Sequence, residues 1–299
     1  MKIGLMLPMY SGDAGKARAF AEGAEELGFD GVFAYDHLFP PGHPDRPALE
    51  AFTTLAAVAV ATGRISIGTL VTRAGLRHPG MLAKLAASID HMSGGRMILG
   101  IGTGDRNDEL EVEAFGLPSL PMDQRRVQLS ETIDAVKSLF RGNRYAGGNH
   151  VPAMTGPLAP PPSTAGGPPV WVGGKSDALV RIAAERGDGW NAWGASAEEF
   201  AEKSRDMLTW GAGRQIETSW SGIAVIGEDD EEAARLQEKR HAKGFGDDGV
   251  WAGSVDGFVV FVESLRGAGC SWVIAVPAGP PDRVELVANA VLPRIAVNK

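Results

Sequence analysis

Strand-like and helix-like segments alternate from one end of this chain to the other, and that rhythm predicts an α/β fold, a (β/α)8 TIM barrel. Three observations carry the prediction. Eight short runs are apolar at successive positions, as parallel strands covered by helices must be. Each run is followed by a stretch with apolar residues at helical spacing. Eight such pairs fill a chain of 299 residues, the ordinary size of a closed barrel, with an open doubly wound sheet as the fallback.

The strands are expected at Ile3–Pro8, Gly31–Asp36, Ile65–Thr72, Arg96–Ile101, Val170–Gly173, Gly189–Trp193, Ser219–Ile226 and Ser271–Pro277. Ala17, Phe20, Ala21, Ala24 and Leu27 mark the first helix, and Gly28 stops it. Further helices are expected over Ala48–Thr62, around Leu82–Met92, around Leu129–Phe140, over Ala178–Arg186 and Ala197–Leu208, and from Asp229. Phe258–Leu265 and Val284–Val291 supply the last two. Two segments break the rhythm. Residues 105–122 read as an acidic loop with Pro118 and Pro121, and residues 142–169 are rich in glycine and proline. Loops of that length inside a domain are usually lids or mobile segments. Both are read as insertions at the C-terminal face of a single domain spanning 1–299, where they would help shape a substrate site.

Composition narrows the function. Hydrophobic residues make up 44% and charged residues 22%, ordinary for a soluble globular chain. A net charge of −8 and the lack of any basic cluster argue against nucleic acid as a partner. No run approaches the roughly 20 apolar residues of a membrane span, and the first residues carry no signal pattern, so a cytoplasmic protein is expected. The one cysteine, Cys270, begins a strand and reads as a buried, inert thiol. No histidine pair has metal-ligand spacing, so no metal is expected.

A barrel of this kind builds its site from the C-terminal ends of its strands. Strand two ends in Asp36-His37, strand three in Thr69-Leu70-Val71-Thr72, and strand four in Gly102-Thr103-Gly104-Asp105, with Asn107 and Asp108 just beyond. Strand five ends in Gly173-Gly174-Lys175-Ser176. Gly100, Gly102 and Gly104 remove side chains at one strand end, which suits either a tight turn or the close approach of a ligand. Gly173-Gly174 before a helix start makes a phosphate cradle, or a plain glycine turn with Ser176 as N-cap. His37 is the one histidine that directly follows a strand, placed for acid–base work or held passively by a neighbouring carbonyl. Leu70-Val71, by its chemistry alone, reads as core. A dinucleotide fingerprint would need a third glycine where Asp105 stands.

Taken together, KIGLMLP, AEELGFDGVFAYDHL, ISIGTLVTRAGLRHPGMLAKLAASIDHMSGGRMILGIGTGD and PPVWVGGKSDALVRIAAERGDGW resemble the bacterial luciferase-like flavin and deazaflavin oxidoreductases, and most closely their F420-dependent branch. The resemblance implies a hydride transfer between coenzyme F420 and a small-molecule substrate, in a protein that is commonly a homodimer. It implies a cis-peptide bulge at Leu70-Val71 behind the deazaflavin ring and a proton-transfer role for His37, assisted by Asp105. It also implies cofactor contacts from Asp36, Thr69, Thr103, Gly104, Asn107, Asp108, Gly173, Gly174, Lys175 and Ser176. An FMN-dependent monooxygenase of the same family is the alternative. A non-catalytic flavin- or phosphate-binding barrel is the reading from another class; the acid–base set Asp36, His37 and Asp105 speaks against it.

Overall fold

The computed structural model describes residues 1–104 and 109–296. Strand β1 (Lys2–Met6) leads to helix α1 (Ala14–Glu26), β2 (Gly31–Ala34) to α2 (Ala51–Ala61), and β3 (Ser66–Arg73) to α3 (Pro79–Ser93). Strand β4 (Met97–Gly102) leads to a short α4 (Glu109–Ala114) and a long α5 (Met122–Phe140). Then come β5 (Val170–Gly173) with α6 (Asp177–Arg186), β6 (Gly189–Trp193) with α7 (Ala197–Trp210), and β7 (Glu217–Gly227) with α8 (Asp230–Ala242). Strand β8 (Val250–Ser254), α9 (Val255–Gly267), β9 (Trp272–Ala278) and a helical run from Arg283 to Ala296 complete the order. The middle of that last run, Val287–Val291, is a π-helical turn.

All strand pairings in the ring are parallel. β1 through β7 pair in sequence, β7 pairs with β9, and β9 returns to β1 through Lys2↔Trp272 to Leu5↔Ala275. These eight strands are the eight that the sequence predicts, and they close the (β/α)8 TIM barrel. The ninth strand among the described residues, β8, is not expected from the sequence. It pairs with Ile223–Gly227 of β7, beyond the point where β6 pairs through Glu217 to Ser221. Its five residues are mostly half-buried or exposed, so no continuous apolar run announces it.

The helices start and stop where local chemistry permits. Asp13, Ser196, Asp229 and Ser254 each accept an amide proton in the first turn of the helix they precede. Gly94, in the left-handed conformation, ends α3. Inside the ring, Met6, Phe33, Leu70, Ile98, Trp171, Trp272 and Ile274 form a buried plug distinct from the larger strand–helix core. Phe33 and Trp171 stack at 5.9 Å, and Trp272 meets both edge-on. This plug fills the barrel centre, so that space for a ligand is left above it at the C-terminal ends of the strands.

The two insertions sit in different places. The described part of the one after β4, residues 109–122, lies at the C-terminal face, as expected. The segment 142–169 does not. It joins the end of α5 to the start of β5, and its bonds run to the outer helices. Glu131 of α5 accepts the amide protons of Asn149, His150 and Val151 at 2.6–3.0 Å. On α3, Lys84 donates to the Ala159 carbonyl at 2.6 Å, and Asp90 accepts from the amide and hydroxyl of Thr164 at 2.7 and 2.9 Å. Tyr145 and Met154 close it with a paired antiparallel bridge. It is a strap along the flank of the barrel, and it contributes no residue to the cavity described next.

Candidate active site

A cavity of about 780 Å3 opens at the C-terminal ends of the strands, within the range of about 300–1,000 Å3 usual for small-molecule sites. Its walls are mainly apolar, with Met6, Leu7, Met9, Ile223, Val276 and Val284 among the lining residues together with the aromatic rings of Tyr10, Tyr35 and Trp193. Tyr10 stacks on Tyr35 at 5.7 Å, and Trp193 meets Tyr35 edge-on at 6.0 Å. Burial, with Tyr10 beside it, pushes the Tyr35 phenol well above its ordinary value, so it stands as a neutral hydroxyl.

The floor is built by β3. The Leu70-Val71 peptide is cis, and the register between β3 and β4 slips between Thr69 and Thr72. Both Leu70 and Val71 line the cavity. The glycines around them have a packing reason that the sequence leaves open. A Cβ at Gly102 would lie 2.7 Å from Val71 Cγ2, and one at Gly173 would lie 2.9 Å from Val71 Cγ1. A Cβ at Gly100 would meet the Thr69 carbonyl oxygen at 2.3 Å. These glycines make room for the bulge itself, and the bulge in turn forms the surface that a ligand would meet. Gly104 has φ +76, a conformation that favours glycine.

Thr69 stands apart from the cavity. It is fully buried, and its hydroxyl donates to the Gly100 carbonyl at 2.8 Å and accepts from the Gly100 amide at 3.0 Å. It bridges β3 to β4 where the bulge interrupts the ladder. Gly173, Gly174, Thr103 and Gly104 do line the cavity. Lys175 and Ser176 do not: Lys175 pairs with Glu199 at 3.1 Å, and Ser176 is exposed at the start of α6 without a side-chain cap bond. Asp105, Asn107 and Asp108, expected at this rim, lie outside the described residues.

Asp36 and His37 reach the cavity from the end of β2. The buried Asp36 carboxylate takes a two-pronged bond from Arg77, whose guanidinium also reaches Glu50 at 2.5 Å and covers the Phe52 ring. Arg77 is thus committed to holding Asp36 in place. His37 turns its Nδ1 toward Glu111 Oε1 at 2.8 Å, and the other Glu111 oxygen receives Arg73 Nη2 at 2.5 Å. Glu111 is fully buried. Burial alone would raise its carboxyl, but the bond from His37 and the charges of His37 and Arg73 win and hold it below the ordinary carboxylate range.

Sequence reasoning missed Glu111, because the segment ELEVEA reads as a solvated acidic stretch. It also left Asn191 unassigned. That buried amide, on β6, donates to Ser219 Oγ at 2.9 Å and accepts from Ser221 Oγ at 2.8 Å, making a polar seam in the cavity wall. Cys270 is buried, and burial pushes its thiol up to about 12, which fits the inert role expected of it. Among the described residues, no group of three or more His, Cys, Asp or Glu could hold a metal ion, and no helix is long and apolar enough to cross a membrane.

This chain is similar to several known proteins. It is 32% identical over 183 residues to an F420-dependent glucose-6-phosphate dehydrogenase of Microbacterium testaceum, a match covering 60% of this chain and 53% of that protein. It is 31% identical over 198 residues to the enzyme of the same description from Beutenbergia cavernae, covering 65% and 57%. The matches thus span little more than half the length of these relatives. Among solved structures, the coenzyme F420 dependent tetrahydromethanopterin reductase of Methanopyrus kandleri superposes with a TM-score of 0.81 at 21% identity, covering 98% of each chain. An F420-dependent secondary alcohol dehydrogenase in complex with an F420-acetone adduct gives 0.83 at 16% identity, again over 98% of each. At those identities the structures speak for the fold. The model of the luciferase-like monooxygenase family matches residues 1–257, and the chain belongs to that family.

Proposed function

We propose that this chain is an F420-dependent oxidoreductase that transfers a hydride between the deazaflavin and a small organic substrate. The observation that carries the reading is the placement of His37 at the rim of a largely apolar cavity whose floor is the Leu70-Val71 bulge. The F420-dependent relatives support the choice of cofactor. The residues present suit a flat, largely apolar ring system. Leu70 and Val71 offer it a shelf, and Gly102, Gly104, Gly173 and Gly174 present backbone at the cavity wall, with Thr103 between the first two. Once bound, the deazaflavin supplies the two-electron chemistry.

The chain's own residues supply the rest. The apolar walls exclude water around the reacting atoms, and Asn191 presents a fixed amide on one side. His37 Nε2 takes or returns the proton that accompanies hydride transfer, with Asp36 locked next to it by Arg77. Asp105 assists or orients the substrate in this reading, and Asn107 and Asp108 reach the cofactor. The reading takes 1–299 as one catalytic unit in a cytoplasmic homodimer; sedimentation at micromolar concentration checks the dimer.

Replacing His37 with Ala tests the role directly. Turnover should fall by about 10²–10⁴, the usual share of a positioned acid–base group, while F420 still binds. Turnover near the wild-type rate would remove His37 from the mechanism.

A further inference from the structure

We propose that Glu111 is a positioning residue, which fixes the tautomer and the charge of His37 and ties helix α4 to the proton-transfer step. The inference rests on the reading that His37 moves the proton. Helix α4 is inside out: Leu110 within it and Phe115 just after it are 49% and 57% exposed, yet Glu111 is 0% exposed. A short helix held only for stability would bury its leucine and the phenylalanine that follows it. Placing a carboxylate inside instead costs several kcal/mol of desolvation unless the charge is paired and fully bonded. Here both oxygens are engaged, one by Arg73 and one by the ring that faces the cavity.

The chemistry of that arrangement is specific. A carboxylate accepts only, so His37 Nδ1 carries a proton and Nε2 is the basic nitrogen in the neutral ring. When Nε2 gains a proton, the imidazolium sits 2.8 Å from a carboxylate that Arg73 keeps ionised. The neighbouring charges come from several elements. Asp36 precedes His37 and is neutralised by Arg77, which also binds Glu50. The ring of Tyr35 lies 6.5 Å from the His37 ring, with Tyr10 behind it. Asp105, Arg106 and Asp108 precede α4, outside the described residues. Glu111 is a charged partner bonded to the ring at Nδ1, and it comes from the insertion after β4.

Long-range 1H–15N spectra of histidine-labelled protein across pH read both properties of His37, without cofactor or turnover. The wild type should show a neutral Nδ1–H tautomer. Glu111→Gln keeps an acceptor and removes the charge, so the tautomer should persist while the titration midpoint falls by about one pH unit or more. In kinetics, the acid limb of kcat should move with it and kcat should fall by about tenfold or more, with KM little changed. An Nε2–H tautomer in the wild type, or a Glu111→Gln titration that overlays the wild type, would overturn the proposal. If the midpoint shifts but His37→Ala still turns over normally, Glu111 positions the ring and it is the proton-transfer reading that falls.

Discussion

The two insertions differ in length and composition, but what separates them is the end of the strand to which each is attached. The one after β4 enters at the C-terminal face and places a buried carboxylate on the histidine of the cavity. The one before β5, more than twenty residues of glycine- and proline-rich chain, enters at the opposite end and is pinned to α3 and α5. From sequence, the longer and more unusual segment looks like the lid. In the fold, the shorter acidic one reaches the site. Loop length alone is therefore a poor guide to function in a barrel, and topology decides.

The largest effect is expected at the mouth. Gly102→Ala would put a Cβ 2.7 Å from Val71 Cγ2, and Val is stiff about its first side-chain torsion. Overpacking there should cost about 1–3 kcal/mol, and thermal unfolding together with an F420 titration should show both lower stability and weaker binding. Unchanged binding would mean that the Val71 shelf is not the cofactor's floor.

A smaller effect is expected on the flank. Glu131 accepts three backbone amide protons from the strap, and these bonds outweigh its partial burial to hold its carboxyl below the ordinary range. Glu131→Ala should cost about 1 kcal/mol and leave kcat within experimental error of the wild type. A fall in kcat would erase the contrast between the two insertions.

The smallest effect separates them by pH. Glu111 and Glu131 both have folded values below the ordinary carboxylate range, so each contributes stability that is present above that range and is lost as pH falls through the folded value. Acid below the ordinary carboxylate range should therefore loosen both insertions without unfolding the ring. Limited proteolysis by pepsin should cut in both, and only the loss of the α4 contact should track with lost activity on return to neutral pH after cleavage. Cleavage confined to the ring strands would contradict this picture.

Much of the fold is legible in the sequence because its strands obey a local rule. Runs such as VWVG and GWNAW are apolar at every or nearly every position, and their bounds in the structure match the expectation at Val170–Gly173 and Gly189–Trp193. The strand VWAGS at Val250–Ser254 escapes the rule because β7 alone supports it, with half-exposed side chains. The bulge at Leu70-Val71 comes from family resemblance, since nothing in two apolar residues announces it. Glu111 escapes both routes. Its partners lie 74 and 38 residues away in sequence, and its neighbours Glu109 and Glu113 are exposed, so periodicity places it with them. Burial of a charge is a property of the assembled barrel mouth, and no local pattern encodes it. The same holds for Thr69, whose hydroxyl faces a strand gap that exists only because the next two residues bulge.

Cofactor choice is decided by titrating the purified protein with F420 and, separately, with FMN, following the fluorescence of Trp193 at the cavity wall. Saturable quenching by F420 at micromolar concentration is expected, and none by FMN in the same range. Saturation by FMN alone would contradict F420 dependence and return the chain to the monooxygenase reading.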